Sequence, residues 1–127
     1  HPDHVVNDPN IFYTNNLPHD LCLQVFSAAD WMIHLAWLDH CPNAVVEGMS
    51  QKCGIICASS GGTKEAVGKN GIVVEENEEY KYQLADYDNP PQIDFSNIIL
   101  PEKINIDNSI LDLKKIAEKY LETIESV

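Results

Sequence analysis

Two acids stand eight positions apart in Asp39-His40-Cys41-Pro42-Asn43-Ala44-Val45-Val46-Glu47. Proline suits the first turn of a helix. Pro42-Asn43 is therefore read as a helix start, with Asp39 on the preceding loop and Glu47 inside the helix. Helical side chains lean toward the N-terminus, so both carboxylates can face one ligand near the helix tip. A carboxylate can accept hydrogen bonds from two vicinal hydroxyls, as on a ribose. The free N–H groups and partial positive charge of the tip suit a phosphate. The same spacing also fits a plainer arrangement, in which Asp39 caps the helix and Glu47 sits on its surface. All 8 cations of the chain are lysines, so backbone donors carry more of any anion binding than usual.

Several elements would have to position this pair. Ile11–Thr14 is a short β-type run. Pro18 opens a helix from His19 to Ala29, with Leu21, Cys22, Val25, Phe26 and Ala29 at helical spacing. Trp31–Ala36 reads as a second strand, and Pro42 to about Lys52 as a second helix. Gly54–Ser59 is a continuous apolar run of the kind buried on both faces of a parallel sheet. Lys64–Val67 fits a short helix and Gly71–Glu75 a fourth strand. Strands alternating with short helices predict an α/β fold, a Rossmann-like parallel sheet with flanking helices. Ligands of such sheets bind beyond the carboxyl ends of the strands. Thr14 to Leu17, Trp37 to Asn43 and Ser59 to Thr63 fall there.

The 127 residues suit one domain, divided into a strand and helix core (1–75), an irregular connection (76–107) and a C-terminal helix (108–127). A short strand is expected near Ile98–Leu100. The final helix is read from Asn108-Ser109, with Ser109 and Asp112 as a capping pair. Ile110, Leu113, Ile116, Ala117, Tyr120, Leu121 and Ile124 form an apolar stripe that needs a surface to cover. The formal charge of −12 argues against nucleic acid and against an anionic membrane leaflet. No apolar run is long enough for a transmembrane segment, and His1 to His4 carry no apolar leader. The four cysteines lack zinc-ligand spacing, so no metal is expected, and they read as reduced, mostly buried thiols of a cytoplasmic protein. His34 is read as a core or interface histidine in mid-strand, Trp31 and Trp37 as packing residues, and Lys64 as solvated. Cys41 is read as a small filler, because no base is placed to activate it.

Five segments resemble the retaining glycosyltransferases of family four, whose architecture is the two-domain GT-B type. Phe26 to Trp31 resembles "YSAADVFVLPS", and Asp39 to Ser50 resembles "EGFPNVVLEAMA". Gly54 to Val67 is similar to "PVIASDVGGIPEIV", and Asn70 to Glu75 to "GGILVEP". Asn10 to Thr14 with Leu17 to Asp20 is similar to "NVIFTGFLPHE". The likeness runs from about Asn10 to Glu75 and resumes at Lys114 to Leu121, like the closing helix of that family.

The resemblance implies the donor-binding part of the C-terminal domain of such an enzyme. The donor is a nucleotide-diphosphate sugar, and the sugar is transferred with retention of configuration and without a cofactor. Glu47 matches the second acid of the E-x7-E motif, which binds the ribose. Asp39 matches the first, near the donor sugar and its phosphate, and is one methylene shorter than the usual Glu. Backbone N–H groups at His40, Cys41 and Asn43 match the loop that holds the sugar or distal phosphate. Thr14 and Asn15 match the turn beside the nucleobase, where the family usually has Gly at the position of Asn15. Gly61 and Gly62 match the Gly-Gly turn near the donor. The arginine and lysine that serve the leaving diphosphate in that family have no counterpart here, nor has its N-terminal domain. The segments also match strands three to six of an order 3-2-1-4-5-6, so the central pair is missing; residues upstream of His1 are the expected supply, a re-registered strand or another chain the alternatives. The isolated chain is therefore expected to be inactive, with any membrane association residing in parts outside it. The alternative is a non-catalytic α/β binding module that keeps the fold.

Overall fold

The fold is that of a computed structural model, which describes residues 5–78, 84, 86, 88–102 and 104–126. The expectations for His1 to His4 lie outside the described residues, as do residues 79–83, 85, 87 and 103 of the expected irregular connection. The chain runs α1 (His19–Ala28), β1 (Trp31–His34), α2 (Asn43–Ser50), β2 (Gly54–Ala58), α3 (Thr63–Val67) and β3 (Gly71–Val74). A 3-10 turn (Asn108–Leu111) and α4 (Leu113–Glu125) follow.

The three strands form a parallel sheet in the order β1-β2-β3. Trp31 stands opposite Gly54, and Ile55 opposite Gly71. This is the expected α/β, Rossmann-like arrangement, a parallel sheet with flanking helices. All five residues of β2 are buried, as an apolar run covered on both faces should be. Val45 and Met49 of α2 and Val67 near α3's end close over Ile55 and Cys57, with Ile106 in the same cluster and Met32 against it. Burial raises the pKa of the Cys53 and Cys57 thiols, which makes them core filler and poor nucleophiles. No helix among the described residues is long and apolar enough to cross a membrane.

Four local expectations are corrected. Ile11–Thr14 forms no strand and is wholly exposed. Its Tyr13 hydroxyl instead accepts from the Val6 N–H at 2.8 Å. β-Type composition makes a strand only when it docks on a partner edge, and this segment leaves the outer edge of β1 unpaired among the described residues. Ile98–Leu100 is irregular too. The only strand-like contact of that connection, among the described residues, is an isolated antiparallel bridge between Glu76 and Ile93.

The final helix begins at Leu113, not at Asn108. Asp112 is extended and breaks the run, and its carboxylate caps α4 by accepting from the Lys114 and Lys115 N–H groups. Asp107 caps the preceding 3-10 turn through the Ser109 N–H. Short acidic side chains compete for backbone donors in this way, which favours caps over helix interiors. The Ser109–Asp112 pair expected as a cap does not form one.

The C-terminal arm meets the sheet layer through Ile106 in the core and through a buried clasp beside it. Asn70, 1% exposed, accepts from the Asp107 N–H at 2.7 Å and donates to the Asp107 carbonyl at 3.2 Å. Ser109 and Lys69, bonded to the Asp107 carboxylate, hold it well below the usual carboxylate range.

Candidate functional site

The carboxyl edge of the sheet is built from three strand ends. β1 stops at His34, so this histidine stands at the edge and not in mid-strand as expected. β2 stops at Ala58 and delivers Ser59 to Gly62, while β3 stops at Val74 ahead of Glu75 and Glu76. The Ser60 hydroxyl donates to Glu76 Oε1 at 2.8 Å, and the Glu76 N–H donates to the Ser59 hydroxyl at 3.2 Å. The ends of β2 and β3 are thereby tied together.

The loop after β1 is pressed onto the turn after β2. The Asp39 carbonyl accepts from the Gly62 N–H at 3.0 Å and from the Thr63 hydroxyl at 3.3 Å. A Cβ on Gly61 would fall 2.5 Å from the Asp39 oxygen, and one on Gly62 only 2.2 Å from the His40 oxygen. Gly61 also has φ +74°, the left-handed region that favours glycine. The two glycines thus carry a structural duty, since only a turn without side chains lets residues 39 and 40 come so close. Leu38, just before them, is itself left-handed at φ 61°.

α2 starts in the open. Pro42 is buried, but no side chain caps the helix, and His40, Cys41 and Asn43 are exposed. The Pro42 carbonyl receives the Val45 and Val46 N–H groups. The first-turn N–H groups of Asn43 and Ala44 keep the electropositive end of the helix without a side-chain cap. Glu47 lies one turn below Asn43 on the same side of the helix.

Each of the two acids has a histidine partner from a different element. His34 Nε2 lies 3.3 Å from Asp39 Oδ2, and His19 Nε2 of α1 lies 3.1 Å from Glu47 Oε1. Neither partnership was visible in the spacing of residues 39 to 47. The plainer reading of the pair is corrected at one end only. Asp39 makes no cap bond to α2, whereas Glu47 lies on the helix surface as that reading has it, a third exposed and paired with the exposed His19. Thr14 and Asn15 lie on the exposed coil ahead of α1, and no hydrogen bond ties them to Asp39, Glu47 or the Gly-Gly turn. Asn15 has φ 52°, the left-handed conformation that asparagine tolerates better than most residues. The structure therefore brings Asp39, His40, Gly61 and Gly62 into direct contact. Cys41 and Asn43 stand at the helix tip, Glu47 lies toward α1, and Thr14 and Asn15 lie on the coil that leads into α1.

A cleft of ≈ 660 Å³ opens beside the Gly-Gly turn, lined by His40, Gly61 and Lys64 and by four glutamates, Glu65, Glu75, Glu76 and Glu78. Neither Asp39 nor Glu47 lines it. One lysine among four carboxylates makes a negative wall that opposes polyanions. Among the described residues, no three or more His, Cys, Asp or Glu side chains gather closely enough to hold a metal ion. Compared with family models, curated proteins and solved structures, the chain matches none.

Proposed function

We propose that this chain is the donor-binding portion of a retaining glycosyltransferase of the GT-B type, taking a sugar from a nucleotide diphosphate. The observation that carries the reading is the uncapped, solvent-open tip of α2, bracketed by Asp39 before it and Glu47 within it, at the carboxyl edge of a parallel sheet. Two features support it further. Gly61 and Gly62 seat the Asp39 loop against the neighbouring strand end. Asn15 keeps, without glycine, the backbone conformation that a glycine would take there.

On this reading the diphosphate lies at the N–H groups of His40, Cys41 and Asn43, where the helix end favours negative charge. It avoids the cleft of four glutamates. Glu47 accepts from the ribose hydroxyls, and Asp39 accepts from a hydroxyl of the sugar. Departure of the diphosphate leaves an oxocarbenium-like sugar, and catalysis depends on donors aimed at the leaving group. With no arginine in the chain, those donors are assigned to a partner segment, and the isolated chain binds donor without turning it over. The reading needs no cofactor or metal and places the work in the cytoplasm, where free cysteines such as the four here stay reduced.

Calorimetric titration of UDP-, GDP- and ADP-glucose against the chain tests this. One of the three binds, and Glu47→Ala weakens that binding at least about ten-fold, the scale of hydrogen bonds to a charged group. If none binds, the non-catalytic module replaces the enzyme; the four-glutamate cleft is the observation that favours this second reading.

A further inference from the structure

We propose that His34 is a positioning residue that sets sugar recognition by holding the Asp39 carboxylate in place. This inference rests on the donor-binding reading and adds to it a residue outside the Asp39–Glu47 segment. His34 is the last residue of β1, and its ring reaches across the loop it launches to meet Asp39 Oδ2 at 3.3 Å. The ring is only 18% exposed, so its own freedom is small, whereas Asp39 is 35% exposed and reaches solvent.

The main chain of Asp39 is already fixed. Its carbonyl is held by Gly62 and Thr63, and Leu38 before it is in the left-handed conformation. What remains free in an aspartate is a short side chain with two torsions. One hydrogen bond at Oδ2 therefore settles where Oδ1 points. A neutral imidazole with its proton on Nε2 donates to Oδ2 and leaves the lone pairs of Oδ1 for a hydroxyl donor. Pre-fixing an acceptor in this way lowers the ordering cost of binding the group it recognises. The second pair differs. His19 is 68% exposed beside Glu47, and so exposed a contact orients little.

The geometry thus divides the donor. Glu47 addresses the nucleoside, and the His34–Asp39 pair addresses the sugar. The test measures Kd for whichever of UDP-, GDP- or ADP-glucose binds the chain, and for the matching nucleoside diphosphate without sugar. Wild type, His34→Ala and His34→Gln are compared, with circular dichroism as the check on folding. His34→Ala is expected to cut the preference for the sugar-bearing form about ten-fold, leaving the Kd of the diphosphate unchanged. His34→Gln, whose amide can donate to Oδ2, keeps most of the preference. Equal weakening of both ligands, an unchanged preference, or loss of the native spectrum in both variants assigns the ring to the fold alone and overturns the proposal. If the wild type binds none of the ligands, the donor-binding reading itself has failed and this inference falls with it. Binding with Glu47 dependence but without His34 dependence removes only the inference.

Discussion

The layer from Trp31 to Val74 and the arm from Ile104 to Glu125 solve the burial problem differently. In the first, each apolar residue of β2 is covered, and Val45, Met49, Cys57 and Val67 are 0% exposed. In the second, Ile106 enters the core and Asn70 clasps Asp107, but α4 has no buried residue. Leu113 is 81% exposed, and Tyr120, Leu121 and Ile124 lie in the open beside it. A stripe spaced for burial is thus present without a covering surface among the described residues. The stability of the layer comes from packing around β2 that the arm completes with Ile106, Ile104 and Leu111, while α4 adds no buried side chain to it. Periodicity tells which face of a helix is apolar and says nothing of what lies against it.

That contrast can be broken first at β3. A Cβ on Gly71 would fall 2.0 Å from the Ile55 oxygen of the central strand, so Gly71→Ala must push β2 and β3 apart. A loss of about 3 kcal/mol in urea unfolding is expected, the upper end of overpacking costs. A loss below about 0.5 kcal/mol would mean that the sheet is less tightly joined than described.

The clasp comes next. Asn70→Ala leaves the Asp107 N–H and carbonyl without the partners they have now. About 2 kcal/mol should be lost, as for buried polar groups stripped of hydrogen bonds. Hydrogen exchange localises the effect, with the Asp107 amide losing protection while the β2 amides keep theirs. If β2 loses protection equally, the arm and the layer are one cooperative unit and the comparison fails.

The smallest effect belongs to the stripe. The double variant Leu113→Gln with Ile124→Gln changes two exposed side chains, 81% and 69% accessible. It should alter stability by no more than about 0.5 kcal/mol. A cost above about 1 kcal/mol in the same urea assay would show that α4 is covered in solution.

The amino-acid sequence by itself determined the fold class, because its signals are local. The continuous run Gly54–Ala58 demanded burial on both faces, Pro42 marked the start of α2, and the alternation of strands with helices called for parallel pairing. It also marked Asp39, Glu47 and the Gly-Gly turn as a group worth placing together. Ile11–Thr14 and Asn108–Asp112 escaped it for opposite reasons. The first has strand composition but docks on no strand edge among the described residues, and the second has helix periodicity but stands between two capping aspartates, Asp107 and Asp112. The partners of the two acids, His34 and His19, and the pressing of residues 39 and 40 onto Gly61 and Gly62 were decided only by the tertiary structure. Such contacts join loops and helices brought together by the register of the sheet and the packing of helices over it. Neither is encoded in the spacing within any one segment.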